Sequence, residues 1–178
     1  MSDAWVCPEC GLDYGTLHPP FAITAIKSFP RRYSEALAPS SGTEDNDAVI
    51  RTRPAPAVWS ALEYSAHAAD LMHEFTTILQ RMNDEDKPEL PFNDPDEQVV
   101  SQKWNEQAKD AVLERMKTGA DALVKQAERV DAEGWKRTAT FEWGERDLLI
   151  MLQNAVHEGV HHLRDVDNVL GRVRGGTN

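Results

Sequence analysis

A chain of 178 residues, 40% of them hydrophobic, is long enough for one buried core and short enough for a single globular unit. Its 30 acidic residues against 19 basic ones give a net charge of −11, which argues against a nucleic-acid footprint and against an anionic membrane surface. No run approaches the ~20 apolar residues of a spanning helix, and no basic-then-apolar leader opens the chain, so the expectation is a soluble cytoplasmic protein.

Residues 1–20 carry Trp5, Cys7, Cys10, Gly11, Gly15 and three prolines, a composition that suits a Cys-x-x-Cys knuckle rather than a helix. Residues 21–57 read as a short helix (from about Pro20 to Ala38) and a polar, proline-bounded linker. The remainder, 58–174, reads as a helical bundle. Its first helix begins after Ser60, with Glu63 three residues on in a capping-box pattern, and runs to Met82. The acidic stretch Asn83–Glu97 contains three prolines and is expected to be a surface loop. A helix over Val99–Arg129 follows, with Val112, Met116, Leu123 and Val130 as its apolar stripe. After a turn at Glu133–Gly134, residues 135–143 alternate weakly, as a short extended piece would. The last helix spans Glu145–Val173 and ends at Gly175–Gly176. The sum is an all-α protein, an antiparallel four-helix bundle with an N-terminal knuckle.

That last helix writes V-H-E-G-V-H-H-L-R-D-V. His157 and His161 stand four residues apart, as do Glu158 and His162, so each pair shares a helix face and can chelate one ion. The pairs are offset by about 100° around the axis, which keeps them from serving the same ion. On a helical wheel His67 falls on the inward stripe with Leu71, Phe75 and Ile78, whereas Glu63, Asp70, Glu74 and His73 fall outside it. On the last helix Glu158 and His162 flank the buried stripe, and His157 and His161 point away. A buried carboxylate and imidazole are costly unless paired or bound to a metal. His67, Glu158 and His162 therefore suggest a three-ligand site with open positions, as a reactive metal needs. The alternative is two satisfied core histidines beside a rim glutamate.

W-S-A-L-E-Y-S-A-H-A-A-D (Trp59 to Asp70), followed by E-x-x-x-H-x-x-D-V (Glu158 to Val166), resembles the DinB/YfiT-like superfamily over about residues 54–172. That superfamily includes maleylpyruvate isomerases that depend on mycothiol and S-transferases that depend on bacillithiol or mycothiol. The resemblance implies a four-helix bundle with one long crossover, often dimeric. It implies metal ligation by His67, Glu158 and His162, with Asp165 at the small polar position that follows. It further implies zinc or nickel, binding a low-molecular-weight thiol (mycothiol, given the extra N-terminal segment) for reaction with an electrophilic substrate. Asp165 or Asp70 would orient a ligand histidine. The rival from another class is a non-catalytic metal- or ligand-binding bundle, a stress-response or redox-sensing module.

Cys7 and Cys10 supply half of a tetrahedral zinc site. His18 is hindered by Pro19 and Pro20, so His157 and His161 are the natural partners for a structural zinc. Two other readings stay open here: a reduced tail beside two solvated histidines, and a redox dithiol, which lacks the following helix a thioredoxin-type motif requires.

Overall fold

A computed structural model of the protein describes residues 5–91 and 95–175. Among the described residues eight α-helices and β-strands follow one another: α1 (Pro19–Ala36), α2 (Asn46–Arg51), α3 (Ala61–Asp84), α4 (Pro95–Ser101), α5 (Lys109–Glu128), β1 (Thr138–Phe141), β2 (Gly144–Asp147) and α6 (Leu148–Gly175). The four long helices, α1, α3, α5 and α6, form the bundle. Around the ring α1 lies beside α5, α5 beside α3, α3 beside α6, and α6 beside α1. Among the described residues no helix is long and apolar enough to cross a membrane.

The α3 start follows from its sequence. Ser60 Oγ accepts from the Glu63 N–H at 3.2 Å and Glu63 Oε2 accepts from the Ser60 N–H at 2.8 Å, a closed capping box. Contrary to the wheel, Glu63 is buried rather than wet. Arg53 donates to both of its carboxylate oxygens, Nε to Oε2 at 2.7 Å, and this partner is what makes the burial tolerable. Asp70 is likewise engaged, accepting from Trp104 Nε1 at 2.8 Å and pairing with Arg115 at 2.6 Å.

These contacts also explain why Val99–Arg129 is not one helix. The chain leaves α4 at Ser101, takes a left-handed backbone at Lys103 (φ 49°), and turns so that the whole of Trp104 is buried beside α3. Burying a tryptophan whose N–H finds a carboxylate outweighs continuing an exposed helix. The stretch expected to be loop over Asn83–Glu97 is shorter on both sides: α3 runs on to Asp84 and α4 starts at Pro95, with residues 92–94 outside the described set. The expected extended piece is β1, paired antiparallel with β2 through Phe141↔Gly144, so the last helix starts at Leu148 rather than Glu145. Of the Gly175–Gly176 stop, Gly175 closes α6 and Gly176 lies outside the described residues.

Two close approaches set the position of α6. The Tyr33 hydroxyl donates to the Gly159 carbonyl at 2.9 Å, and the Phe29 ring occupies the space a side chain at Gly159 would need. Glycine is required there by packing, and it lets α1 press against the turn that carries both ligand pairs.

Candidate metal centre

One turn of α3 and one of α6 bring His67, Glu158 and His162 together, with one ligand atom from each lying within 4.8 Å of the others. His67 is 6% exposed and its ring sits edge-on to that of His162, centroids 4.7 Å apart. The walls behind it are Trp59 and Trp104, at 5.4 Å and 5.3 Å. Burial, and then the charge of His162, push the His67 pKa down to about 4, so its imidazole is neutral with a lone pair to offer. Its Nδ1 is buried without a hydrogen-bond partner. A buried imidazole nitrogen without a partner, in a residue that lies beside a carboxylate and a second imidazole, makes this group a candidate for holding an ion.

His162 is held from both sides. Its Nδ1 meets Asp165 Oδ2 at 3.0 Å and its Nε2 meets Glu158 Oε2 at 3.2 Å. Burial opposes charge on this ring, but the Asp165 and Glu158 carboxylates overcome it and hold the pKa at about 9. Burial would raise Glu158 in turn; His157 and His162 outweigh it and keep the carboxyl well below its ordinary range. Two N and one O donors fit zinc or nickel, and fewer than four protein ligands leave room for a small molecule.

The three residues border a cavity of about 630 Å³. Its walls include Tyr64, Leu71, Phe75, Ile78, Phe141 and Trp143; Tyr64 stacks on the His162 ring with centroids 5.7 Å apart. Glu74, Asp96 and Asp165 add carboxylates to the lining, and no Lys or Arg lines it among the described residues. Trp104 is packed behind His67, and Trp143 forms part of the cavity wall.

The family model of the DinB superfamily matches residues 27–166. The chain belongs to the DinB superfamily. Its fold is similar to that of YfiT from Bacillus subtilis, which is described as a probable metal-dependent hydrolase with an unusual four-helix bundle topology. The TM-score is 0.77 at 15% identity, over 88% of this chain and 87% of that one. At that identity the likeness concerns the fold. No curated protein matches the chain in sequence.

Ahead of the DinB match, residues 5–18 fold back onto α6. The knuckle closes through Cys7 N–H to the Leu12 carbonyl and Gly11 N–H to the Cys7 carbonyl, both at 2.9 Å, with Gly11 at φ 72°. Asn154 Oδ1 accepts from the Tyr14 hydroxyl at 2.9 Å, and Gln153 Nε2 donates to the Tyr14 and Leu17 carbonyls. This brings Cys7 and Cys10 to His157 and His161, again with one ligand atom each inside 4.8 Å. The Cys10 backbone N–H, aided by His157, lowers the Cys7 thiol to about 6 against the opposing effect of burial. His18 is exposed, occupies the N-cap position of α1 without a side-chain capping bond, and stands apart from this group. His73, off the inward stripe, approaches the Arg115 carbonyl of α5 at 3.0 Å through Nε2. The wheel did not anticipate Gly159 or Trp104; a glycine inside an otherwise continuous helical pattern was the available signal for the first.

Proposed function

We infer that the protein is a metal-dependent enzyme that joins the sulfur of a low-molecular-weight thiol, mycothiol by resemblance, to an electrophile, the thiol proton being lost as the S–C bond forms. His67, Glu158 and His162 would hold a divalent metal, zinc or nickel, and Asp165 would fix the orientation of His162. A bound divalent ion supplies the acidity that keeps a coordinated thiol deprotonated at neutral pH.

The observation that carries this reading is a three-donor set bordering an aromatic cavity of about 630 Å³. Open donor positions beside such a space favour a site that takes up a small molecule over a closed metal store, and S-transfer needs both. Neutral His67 and anionic Glu158 present lone pairs without a prior proton loss. Tyr64, Phe75 and Trp143 offer apolar surface that excludes water and seats an apolar electrophile. The acidic lining, with no Lys or Arg among the described residues, favours neutral or cationic reactants over dicarboxylates. That supports S-transfer over isomerisation of a dicarboxylate, and it supports a sugar-bearing thiol such as mycothiol over one that carries carboxylates.

The test is conjugation of a neutral electrophile by the zinc- or nickel-loaded protein, supplied in turn with mycothiol, bacillithiol and cysteine. Thiol-dependent product that disappears with chelator and with His67→Ala supports the reading. Chelator-insensitive or absent conjugation across all three thiols overturns it, and thiol-independent ester hydrolysis reassigns the same donors to activating water.

A further inference from the structure

The reactive donor set uses one side of α6, and four potential ligands remain on the other. We propose that Cys7, Cys10, His157 and His161 bind one zinc ion in a closed tetrahedral site that fastens the N-terminal knuckle to α6. The inference stands independently of S-transfer, because it uses none of the same ligands.

Geometry makes the first argument. Zinc bonds of about 2.3 Å to sulfur and about 2.0–2.1 Å to nitrogen put tetrahedral ligand atoms roughly 3.4–3.8 Å apart. Cys7 Sγ and His161 Nδ1 are already 3.7 Å apart, and all four ligand atoms lie within 4.8 Å. Closing the rest needs side-chain rotations rather than backbone movement. Cys7 is 4% exposed, and Cys10, His157 and His161 are half-buried.

The second argument concerns the far side of each imidazole. Metal-bound histidines present their other ring nitrogen to a carboxylate, carbonyl or water. His161 turns Nδ1 to the sulfur and Nε2 toward Glu9 and Asp165, at 3.5 Å and 3.8 Å. His157 turns Nδ1 toward Glu158 at 3.6 Å, and its Nε2 is buried with no hydrogen-bond partner. That nitrogen is the one left for the cysteines. A buried unpaired imidazole nitrogen beside two thiols is unfavourable in itself and satisfied by an ion.

The third argument is local backbone. Cys-Pro-Glu-Cys-Gly, with Gly11 in the left-handed region, folds both sulfurs to the same side of a tight turn. Two thiolates also balance the charge of one zinc ion, leaving a neutral site. Four protein ligands close the coordination sphere, so the site would be structural and would supply binding energy to the fold directly.

The experiment uses full-length protein loaded with zinc, and separately with cobalt. The cobalt form should show thiolate-to-cobalt charge-transfer absorption that persists in His67→Ala and is lost in Cys7→Ser/Cys10→Ser. By elemental analysis the cysteine pair variant should lose one zinc that His67→Ala keeps. In case that variant misfolds, the unmodified protein provides its own readout: both thiols should resist alkylation until chelator is added. Equal alkylation with and without chelator, absence of the charge-transfer band, or a zinc-free Cys7–Cys10 disulfide in the purified protein overturns the proposal. Failure of the conjugation assay alone would leave the cobalt band intact, so the two readings are separable.

Discussion

Asp165 Oδ2 lies 3.0 Å from His162 Nδ1 and, on its other side, 3.8 Å from His161 Nε2. One carboxylate thus stands behind a histidine of each ligand group. Glu158 has a matching double position, 3.2 Å from His162 Nε2 and 3.6 Å from His157 Nδ1. The two groups share supports because their i,i+4 pairs interleave with an offset of one residue on a single helix.

Replacing Asp165 with asparagine keeps the shape and removes the charge that aligns His162. Metal affinity at the His67–Glu158–His162 group should fall about 10- to 100-fold, the usual cost of losing such a support. Competition against a coloured chelator measures this, with circular dichroism confirming unchanged helix content. An affinity equal to that of the unmodified protein would reduce Asp165 to a surface carboxylate.

Glu158→Gln should bring conjugation down to background while the protein still unfolds cooperatively in urea. The bundle is assembled by apolar packing from all four long helices, and the donor set borders a cavity rather than filling the core. Retained activity in this variant would leave His67 and His162 without their third donor and count against the site.

Gly159→Ala should destabilise the fold by about 1–3 kcal/mol or more, the range for overpacking a tight interior. The added methyl would meet the Phe29 ring, and the Tyr33–Gly159 hydrogen bond sits in the same contact. Urea unfolding reports the loss. A midpoint unchanged from the glycine protein would mean that α1 and α6 can separate without penalty.

Glu44 ties the linker to the end of α6, with Arg174 donating to its carboxylate at 2.9 Å and to the Ala38 carbonyl at 3.0 Å. Its pKa is lowered from 4.5 to about 2, chiefly by Arg174 and then by Ser40. A depressed acid stabilises the fold above its unfolded pKa, and that contribution fades as pH falls from 4.5 toward 2. The stability gap between the unmodified protein and Glu44→Gln should therefore be full at neutral pH and close progressively over that interval. A gap that does not change with pH would exclude the ion pair as its source.

The four long helices, the α3 cap, the inward turn of His67 and the offset of His157 and His161 from Glu158 and His162 around α6 were legible in the sequence. Each is a local consequence of period 3.6, or of a side chain reaching three or four residues along its own helix. The same wheel misjudged Glu63 as wet, because a wheel shows one stripe. In its first half α3 is covered on several sides, by α5, by α6 and by the Trp104 turn. It likewise ran a single helix through Ser101–Ala108, since periodicity carries no information about a tryptophan finding a distant carboxylate at Asp70.

The sequence by itself determined which residues could act as ligands and which of them share a helix face, because spacing along a helix fixes direction. Only the tertiary structure decided which ligands meet. His67 and Glu158 are separated by about half of the chain, and their approach depends on α3 and α6 packing side by side. The approach of Cys7 to His161 depends on Tyr14 and Gln153 anchoring the knuckle. Such contacts arise from burial and hydrogen bonding between remote segments, which no local period encodes.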